Sequence, residues 1–306
     1  MASEVLLQAI VAGLLFGMVL SVVALGLTII FGVMDIVNFA HGEFLMIGMY
    51  TGLLVSQYTG TDPLFALPVA AVIGGLLGYL CYWLFVRLLL RGPMLAQLLG
   101  TFGLMLFLRN VALLLFGSED RSIQKGILVG KSVVIFGSCV VPATKLGAAV
   151  LAVLAFVGTY LFIEKTKIGK ALQATAINPQ AARFMGISTD RMNALAWVIG
   201  GAGVTVAGGL LVNFWAVNPY VGLLFTMLAF TIVALGGFGS VPGAFFAGLI
   251  VGIITEFPGI WDAISLWTGW NWMYKVPMIS FKYTWVYLAY FLIMLITPQG
   301  LFGWKR

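Results

Sequence analysis

Long apolar segments alternate with short polar ones along the chain. Residues 5–33 are almost entirely apolar. Shorter apolar segments follow at about 43–57, 64–86, 94–116, 146–163, 192–214, 221–238, 243–256 and 282–298. About 20 apolar residues are enough for an α-helix to cross the hydrocarbon core of a bilayer. The pattern therefore predicts about nine membrane-spanning helices, of which the one at 243–256 is short. The surplus length of the first segment predicts either a tilted helix or a span followed by a half-helix.

A polar break follows the first apolar segment. Asp35, Asn38, His41 and Glu43 lie within nine residues, with apolar sequence on both sides. Such groups are unfavourable in hydrocarbon and occur where they face a bundle interior, a water-filled pathway or the membrane surface. We predict that they line a translocation pathway or its gate. The alternative is a turn at the membrane surface, in which the carboxylates cap helix N-termini and His41 makes a structural hydrogen bond.

A second interruption lies in the other half of the chain, at residues 236–243 (GGFGSVPG). Four glycines, a serine and a proline in eight residues do not form an ordinary helix interior. Paired interruptions in two halves of a membrane protein indicate a transporter's binding site. We therefore predict that Gly236, Gly237, Gly239 and Ser240 line the pathway. The alternative is a tight cytoplasmic turn between two helices.

Basic residues orient the predicted helices. Nine spans with the N-terminus outside place all three basic groups in the cytoplasm, as the positive-inside rule requires. The groups are Arg87 with Arg91; Lys165, Lys167, Lys170, Arg183 and Arg191; and Lys305 with Arg306. Loops 117–145 and 257–281 are then extracytoplasmic, and the tryptophans of the second suit a helix lying in the membrane interface. In this topology the break at 35–43 approaches the cytoplasm.

Arg109 is a charged residue inside the apolar segment 94–116. Long basic side chains near the end of a span commonly extend to the membrane surface while their aliphatic part stays in hydrocarbon. We therefore predict that Arg109 reaches the outer interface in this way; the alternative is a functional role.

The loop 164–191 is the long charged cytoplasmic stretch. Its sequence predicts a short helix from Lys170 to Ile177 and a second that begins at Pro179 and ends at Gly186. An amphipathic helix pair with two apolar side chains on its surface predicts a docking site for a partner; the alternative is a solvated loop that only orients the protein. The residues predicted to couple to that partner are Gln180, Ala181, Ala182, Arg183, Phe184, Met185 and Gly186.

Composition excludes several functional classes. The 306 residues are 62% hydrophobic and 8% charged, whereas a soluble domain has about 25% charged residues. The net charge of +6 is explained by membrane orientation rather than by nucleic-acid binding. Cys81 and Cys139 predict neither a disulfide nor a metal site. Residues 126–132 (GILVGKS) have three residues between the glycines, where a phosphate-binding loop needs four. We therefore expect no enzyme activity and no cofactor in this chain.

Three motifs resemble one family. The string ALGLTIIFGVMDIVNFAHGEF (24–44) resembles the signature of LivH-like permeases, the membrane subunits of ABC importers for branched-chain amino acids. GGFGSVPGAFFAGLIVGI (236–253) resembles their glycine-rich second-half motif. Gln180-Ala181-Ala182, followed by Gly186, resembles the coupling loop of importer permeases, with Gln where Glu is usual. The resemblance implies an all-α polytopic membrane protein of about 8–10 transmembrane helices, with broken helices in both halves and a cytoplasmic coupling loop.

The resemblance also implies partners. These are a second permease subunit, identical or merely similar, two cytoplasmic ATPase subunits that hold ATP and Mg, and an extracytoplasmic solute-binding protein. It implies a multi-pass protein of the bacterial inner membrane that contacts lipid and no nucleic acid. The expected solutes are branched-chain or other amino acids, with urea, amides and aromatic acids as alternatives. From the residues alone, an ion-coupled secondary transporter or channel that uses Asp35, Glu43 or His41 stays open.

Overall fold

The computed structural model describes residues 2–123, 126–135, 139–261, 264, 268 and 278–302. Over these residues the protein is a helical bundle with one small β-hairpin, which confirms the all-α fold class. The helices are α1 (Ala2–Met34), α2 (His41–Thr59), α3 (Leu67–Cys81), α4 (Arg87–Leu89), α5 (Met94–Phe116), α6 (Ala143–Lys165), α7 (Lys167–Ile177), α8 (Pro179–Phe184), α9 (Thr189–Leu211), α10 (Val221–Gly236), α11 (Val241–Glu256) and α12 (Lys282–Ile296). The antiparallel strands are β1 (Ser132–Ile135) and β2 (Cys139–Pro142).

A helix lies at each of the nine predicted segments. Among the described residues, six helical stretches are long and apolar enough to cross a membrane, and α10 and α12 are shorter apolar helices. A 3-10 turn precedes α3, and a π-helical turn (Tyr82–Val86) joins it to α4, so that this stretch is helical over 63–89. α11 continues through a 3-10 turn to Ile260, which lengthens the span that looked short in the sequence. The chain is thus a multi-pass membrane protein.

α1 is a single helix of 33 residues at the centre of the bundle. It packs against α6, α9, α10 and α11, and Leu20, Val23 and Leu27 along it have no exposed surface. Its apolar character on all sides fits this central place, because a helix that is apolar all round is one buried on every face. At 1.5 Å per residue it is about 50 Å long, which exceeds the hydrocarbon core of about 30 Å.

Small residues bring α1 and α11 close together. A Cβ added to Gly17 would meet the backbone oxygen of Gly248 at 2.7 Å. Ser21 donates its hydroxyl proton to the backbone oxygen of Phe245 at 3.0 Å, across the same contact. Lipid supplies no hydrophobic driving force between helices, so close backbone approach and such hydrogen bonds hold the pair together.

Contacts between loops follow the predicted two-sided topology. On the predicted inner face, Arg87 pairs with Asp190 at 3.3 Å, and the backbone N–H of Leu301 donates to Leu235 at 2.7 Å. On the predicted outer face, Lys145 pairs with Glu256 at 3.1 Å, and loop residue Arg121 forms a β-bridge with the α9–α10 connection. Each of these contacts joins two residues that the predicted nine-span topology places on the same side of the membrane.

The two long predicted outer loops differ in what is described. Loop 117–145 contains the β-hairpin and the first residues of α6. Loop 257–281 begins and ends with 3-10 turns, at Phe257–Ile260 and Met278–Phe281. Most of its interior lies outside the described residues, including Trp267, Trp270, Trp272 and Tyr274, so its interfacial helix stays a prediction.

The glycine-rich segment 236–243 forms a tight turn. α10 ends at Gly236, and Gly237 and Gly239 have φ values of +90° and +79°, which glycine adopts without a steric penalty. Ser240 then caps α11, because its Oγ accepts a hydrogen bond from the N–H of Gly243 at 3.2 Å. In the structure this segment is thus a tight turn between α10 and α11, which was the alternative given in the sequence analysis. Whether this turn lines a pathway stays a prediction.

Candidate functional site

The polar break begins where Asp35 ends α1. Asp35 has φ +54°, the only positive value of a non-glycine residue in the described part of the chain, and its N–H bonds to the oxygen of Phe31 at 2.8 Å. Aspartate is among the few residues that tolerate this left-handed conformation. Its side chain is exposed, so Asp35 reverses the chain at the inner end of α1 rather than joining the buried groups that follow.

The start of α2 lies deep in the bundle. His41 contacts Val23, which is eleven residues before the end of α1, or about 16 Å along its axis. Gly42 contacts Thr226, which is ten residues before the end of α10, or about 15 Å. Half of a hydrocarbon core is also about 15 Å. The first turn of α2 therefore lies near the middle of the span.

This depth corrects the expectation that the whole break approaches the cytoplasm. The expectation holds for Asp35 alone. Residues 36–40 are not helical, and five such residues can extend about 16 Å. They run back along α1 from its inner end to Val23. The end of α1 and the start of α2 therefore lie at different depths.

The backbone at this buried helix start is satisfied by polar side chains. The Oδ1 of Asn38 accepts a hydrogen bond from the N–H of Ala40 at 3.1 Å, and the Oγ1 of Thr226 accepts one from Gly42 at 3.0 Å. The first N–H groups of a helix have no partner within the helix, and water is scarce at this depth. Asn38 therefore stabilises the start of α2, and it is 1% exposed.

His41 ties the start of α2 to α1. Its Nε2 donates to the backbone oxygen of Val23 at 2.7 Å, and the side chain is buried. A Cβ added to Gly26 would meet the His41 ring at 3.0 Å, so the glycine makes room for it. This is the structural hydrogen bond that the sequence left as the alternative for His41.

Glu43 forms an ion pair with Arg109 inside the bundle. The Nη2 of Arg109 lies 2.6 Å from the Oε1 of Glu43, and the two side chains are 12% and 0% exposed. Among the described residues, neither the Oε2 of Glu43 nor the Nε of Arg109 has a hydrogen-bond partner. The pair thus supplies one cationic and one anionic group, each with unused hydrogen-bonding capacity, to the middle of the membrane.

This ion pair corrects the sequence-based prediction for Arg109. Arg109 points inward to α2 rather than to the outer interface. It lies 66 residues from Glu43, so the pairing depends on helix packing, not on local sequence. The sequence did contain a signal for this pair. Glu43 in the break and Arg109 in the segment 94–116 are opposite charges beside or within apolar sequence, and buried charges usually pair.

The predicted coupling residues form a separate surface on the inner face. Asn178 caps α8 by accepting hydrogen bonds from the N–H groups of Gln180 and Ala181, both at 3.0 Å. Gly186, at φ +82°, ends the helix as the sequence predicted. The helices of loop 164–191 are confirmed, and α7 begins at Lys167, three residues earlier than expected.

Three apolar side chains of this loop face outward: Ile177, Phe184 and Met185 are 86%, 90% and 82% exposed. Ala182 is buried, and the Nε of Arg183 donates to the Oγ1 of Thr189 at 2.7 Å, which fixes α8 to the start of α9. The surface formed by Ile177, Phe184 and Met185, called here the α8 surface, is thus held on a defined backbone.

The structure does not bring all predicted pathway residues together. Asn38, His41 and Glu43 share the buried start of α2. Gly236, Gly237, Gly239 and Ser240 lie at the inner end, where Gly239 contacts Gly32 of α1. This places the glycine turn beside the end of α1 and apart from the ion pair.

Several known proteins are similar to this chain in sequence. The family described as branched-chain amino acid transport system / permease component matches residues 9–297. The permease LivH of Salmonella typhimurium is 32% identical, covering 97% of this chain and 95% of its own. BraD of Pseudomonas aeruginosa is 33% identical over 82% and 85% of the two chains. LivM of Escherichia coli, also named as a permease of such a system, is 27% identical over 78% of this chain and 61% of its own. The chain belongs to the family of branched-chain amino acid transport system permeases.

Proposed function

We propose that this protein is the membrane-spanning permease subunit of an ATP-driven importer that carries amino acids across the bacterial inner membrane. An extracytoplasmic binding protein delivers the solute to the outer face. Two ATPase subunits act on the loop 164–191 from the cytoplasm. A second permease subunit completes the pathway, as the existence of both LivH and LivM among the relatives suggests. The permease itself performs no chemical step.

The α8 surface is the observation that carries this proposal. A short capped helix that presents a phenylalanine and a methionine to solvent is unfavourable unless a partner covers them, and exposed apolar clusters mark protein interfaces. α8 contacts α9, which packs against both α1 and α2. A displacement of α8 by a partner can therefore be transmitted to the bundle interior. ATP binding shifts the conformational equilibrium only through a difference in affinity between two states of this contact.

The experiment that tests the proposal is a mild-detergent affinity purification of this chain from its own host, followed by reconstitution. We expect nucleotide-binding subunits and a second polytopic permease to co-purify. The reconstituted complex is expected to take up radiolabelled leucine only with ATP and binding protein. Recovery of this chain alone, with uptake in the absence of ATP, would contradict the proposal.

An ion-coupled transporter is the second candidate, and the Glu43–Arg109 pair is the observation that favours it. A buried carboxylate that exchanges a partner for a proton can couple solute movement to a gradient. Such a transporter would show uptake that responds to a proton or sodium gradient without ATPase subunits. The family membership and the α8 surface favour the first proposal.

A further inference from the structure

One side of α5 points away from the rest of the chain. α5 packs on α2 and on the helical stretch 63–89 through a side that includes the buried residues Thr101, Leu108 and Ala112. The opposite side is exposed along most of the helix. It is called here the α5 face and is formed by Leu99, Gly103, Leu106, Asn110 and Leu114. These residues follow one another at intervals of three or four positions, which places them on one side of a helix.

Asn110 is the polar side chain of the α5 face. It lies six residues before Phe116, the last residue of α5, and so about 9 Å inside the outer end of the helix. Its Nδ2 donates to the backbone oxygen of Leu106 at 2.7 Å, and its amide forms no other hydrogen bond with the described residues. The Oδ1 and the second N–H of the amide are therefore free, at a depth where lipid offers no partner.

The exposed sides of two other spans are apolar at their middle. On α6 the outward residues are Val150, Leu154, Val157 and Gly158. On α3 they are Val72, Ile73 and Leu76. Such surfaces suit lipid tails. A polar side chain within a span usually faces protein or a water-filled cavity, and an asparagine there commonly makes hydrogen bonds between helices. The α5 face thus differs from these surfaces in its need for a polar partner.

Gly103 lies seven residues before Asn110 on the same face. A Cβ added there would meet no atom of this chain within 4 Å, so no internal contact requires a glycine. Glycine inside a helix is unfavourable relative to alanine, whereas at an interface between membrane helices it permits close approach of a second backbone. Gly103 therefore supports what Asn110 indicates, that another helix covers this face.

We propose that the α5 face packs against the second permease subunit, a different chain of the same family, and that Asn110 makes hydrogen bonds across this contact. The inference rests on the proposed transport function and adds to it the surface through which the two permease subunits meet.

The depth of Asn110 selects this partner among those of the importer. The ATPase subunits and the binding protein lie on the two sides of the membrane and do not reach a group about 9 Å inside a span. The second permease subunit spans the membrane and carries polar groups at this depth if it resembles the present chain. A different chain is favoured because the relatives LivH and LivM of Escherichia coli are two distinct permeases.

The buried ion pair lies directly behind this contact. Arg109 precedes Asn110 in sequence and pairs with Glu43 at 2.6 Å, so it fixes α5 to α2 at the same depth. Because the second subunit completes the pathway, α5 is then a helix at the border between the two subunits.

Added bulk on the α5 face tests the contact. Gly103→Leu fills open space on this chain, and leucine favours a helix more than glycine does, so we expect normal folding and insertion. At an interface the added side chain prevents close approach. We expect affinity purification of the complete importer to recover about tenfold less of the second permease subunit, with a matching loss of uptake. Gly158→Leu is the matched control, at an exposed glycine of α6 with equally open space, and should change neither quantity.

Removing the amide tests the hydrogen bonds. Asn110→Leu is expected to lower recovery of the second permease subunit by about threefold or more, the effect of one hydrogen bond between membrane helices. Thr159→Val on α6 is the control, since that hydroxyl, like the amide of Asn110, donates to a backbone oxygen four residues earlier in its own helix. Equal recovery for the two variants would contradict the role of Asn110.

Photochemical crosslinking identifies the partner directly. Leu106→p-benzoylphenylalanine places a photoreactive group near the middle of α5, and Leu154→p-benzoylphenylalanine places one near the middle of α6 as the control. The two leucines are 41% and 62% exposed. On irradiation of the complete importer we expect the first variant to form an adduct with the second permease subunit, identified by mass spectrometry. The second variant is expected to form none with protein.

The outcomes separate this inference from the proposed function. If the wild-type complex holds a second permease subunit and shows ATP-dependent uptake, but Gly103→Leu assembles normally or both photoreactive variants react alike, the α5 face is wrong and the importer function stands. A covalent dimer of this chain through Leu106→p-benzoylphenylalanine would overturn the choice of a different chain as partner. If the wild-type chain purifies alone and takes up solute without ATP, the proposed function fails and the inference fails with it.

Discussion

Thr226 shows how a single side chain supports a helix start inside the membrane. Its hydroxyl donates to Gly222 within α10 at 2.9 Å and accepts from the N–H of Gly42 at 3.0 Å. A Cβ on Gly42 would clash with the oxygen of Gly222 and with the Thr226 hydroxyl. The threonine and the glycine therefore fit one another, and together they hold the polar end of α2 beside α10.

Replacing Thr226 by valine is expected to destabilise the protein. The substitution keeps the shape but leaves the buried N–H of Gly42 without a partner, which costs about 1–3 kcal/mol. The thermal unfolding of the purified protein in detergent measures the effect. Thr231→Val on the same helix is the control, since among the described residues that hydroxyl bonds only to Met227 of its own helix. Equal unfolding temperatures for the two variants would contradict this role of Thr226.

Asp35 is predicted to act through its backbone and not its charge. Asp35→Gly and Asp35→Asn should keep wild-type stability and uptake, because both residues adopt positive φ readily. Asp35→Val should lose about 1–2 kcal/mol, since a β-branched residue is strained at φ +54°. Detergent unfolding and proteoliposome uptake of the three variants distinguish the roles. Loss of uptake in Asp35→Asn, with stability unchanged, would return the carboxylate to the pathway.

At the scale of elements, loop 164–191 combines a firm attachment with an apolar exterior. α8 is capped at its start by Asn178, is followed by Gly186 two residues after its last residue, and is linked to α9 through Arg183 and Thr189. The helix is too short to be stable alone, so these contacts hold it in place. The exposed Phe184 and Met185 are then available to a partner on a backbone that moves with α9.

Phe184→Ala is expected to weaken the contact with the ATPase subunits by about 2 kcal/mol or more, the range of a buried aromatic anchor in an interface. Co-purification of ATPase subunits and the ratio of uptake to ATP hydrolysis report the effect. Tyr58→Ala is the control and should change neither quantity. Tyr58 is similar in size and 87% exposed, and it lies at the outer end of α2, away from the α8 surface. Normal coupling in Phe184→Ala would assign the docking to other residues.

Gly186→Pro addresses the same element through its backbone. Proline cannot adopt the φ of +82° found here, and it removes the N–H that bonds to Arg183 at 3.0 Å. We expect normal membrane insertion with ATP hydrolysis uncoupled from uptake. Gly203→Ala, at a glycine whose Cβ position is open, is the matched control. Coupled uptake in Gly186→Pro would count against the docking assignment.

Local elements of this protein could be predicted from sequence, and its contacts between distant segments could not. Span positions follow from hydropathy, and α8 follows from Asn178-Pro179 and Gly186, which act within a few residues. The Glu43–Arg109 pair and the depth of His41 depend on how α2 and α5 pack and how residues 36–40 fold back. The turn at 236–243 was predictable in its chemistry but not in its depth, because the same glycines fit a broken span and a tight turn.

For the whole molecule, the buried polar site and the exposed α8 surface lie at different depths of the bundle. The Glu43–Arg109 ion pair lies deep in the bundle, and the α8 surface lies on the inner face. α9 connects them, because it packs on α2, contacts α8 and pairs through Asp190 with Arg87. A change at the α8 surface can thus reach the start of α2 through packed helices. Such a connection is what the permease subunit of an ATP-driven amino-acid importer requires.

Uptake of radiolabelled leucine by the purified complex in proteoliposomes tests this function. The assay is run with and without ATP on the side of the membrane where the ATPase subunits lie. It is also run with and without the binding protein on the opposite side. We expect uptake only when ATP and binding protein are both present, and its loss in Phe184→Ala. Uptake by this chain alone, driven by a proton or sodium gradient and abolished by Glu43→Gln, would contradict it.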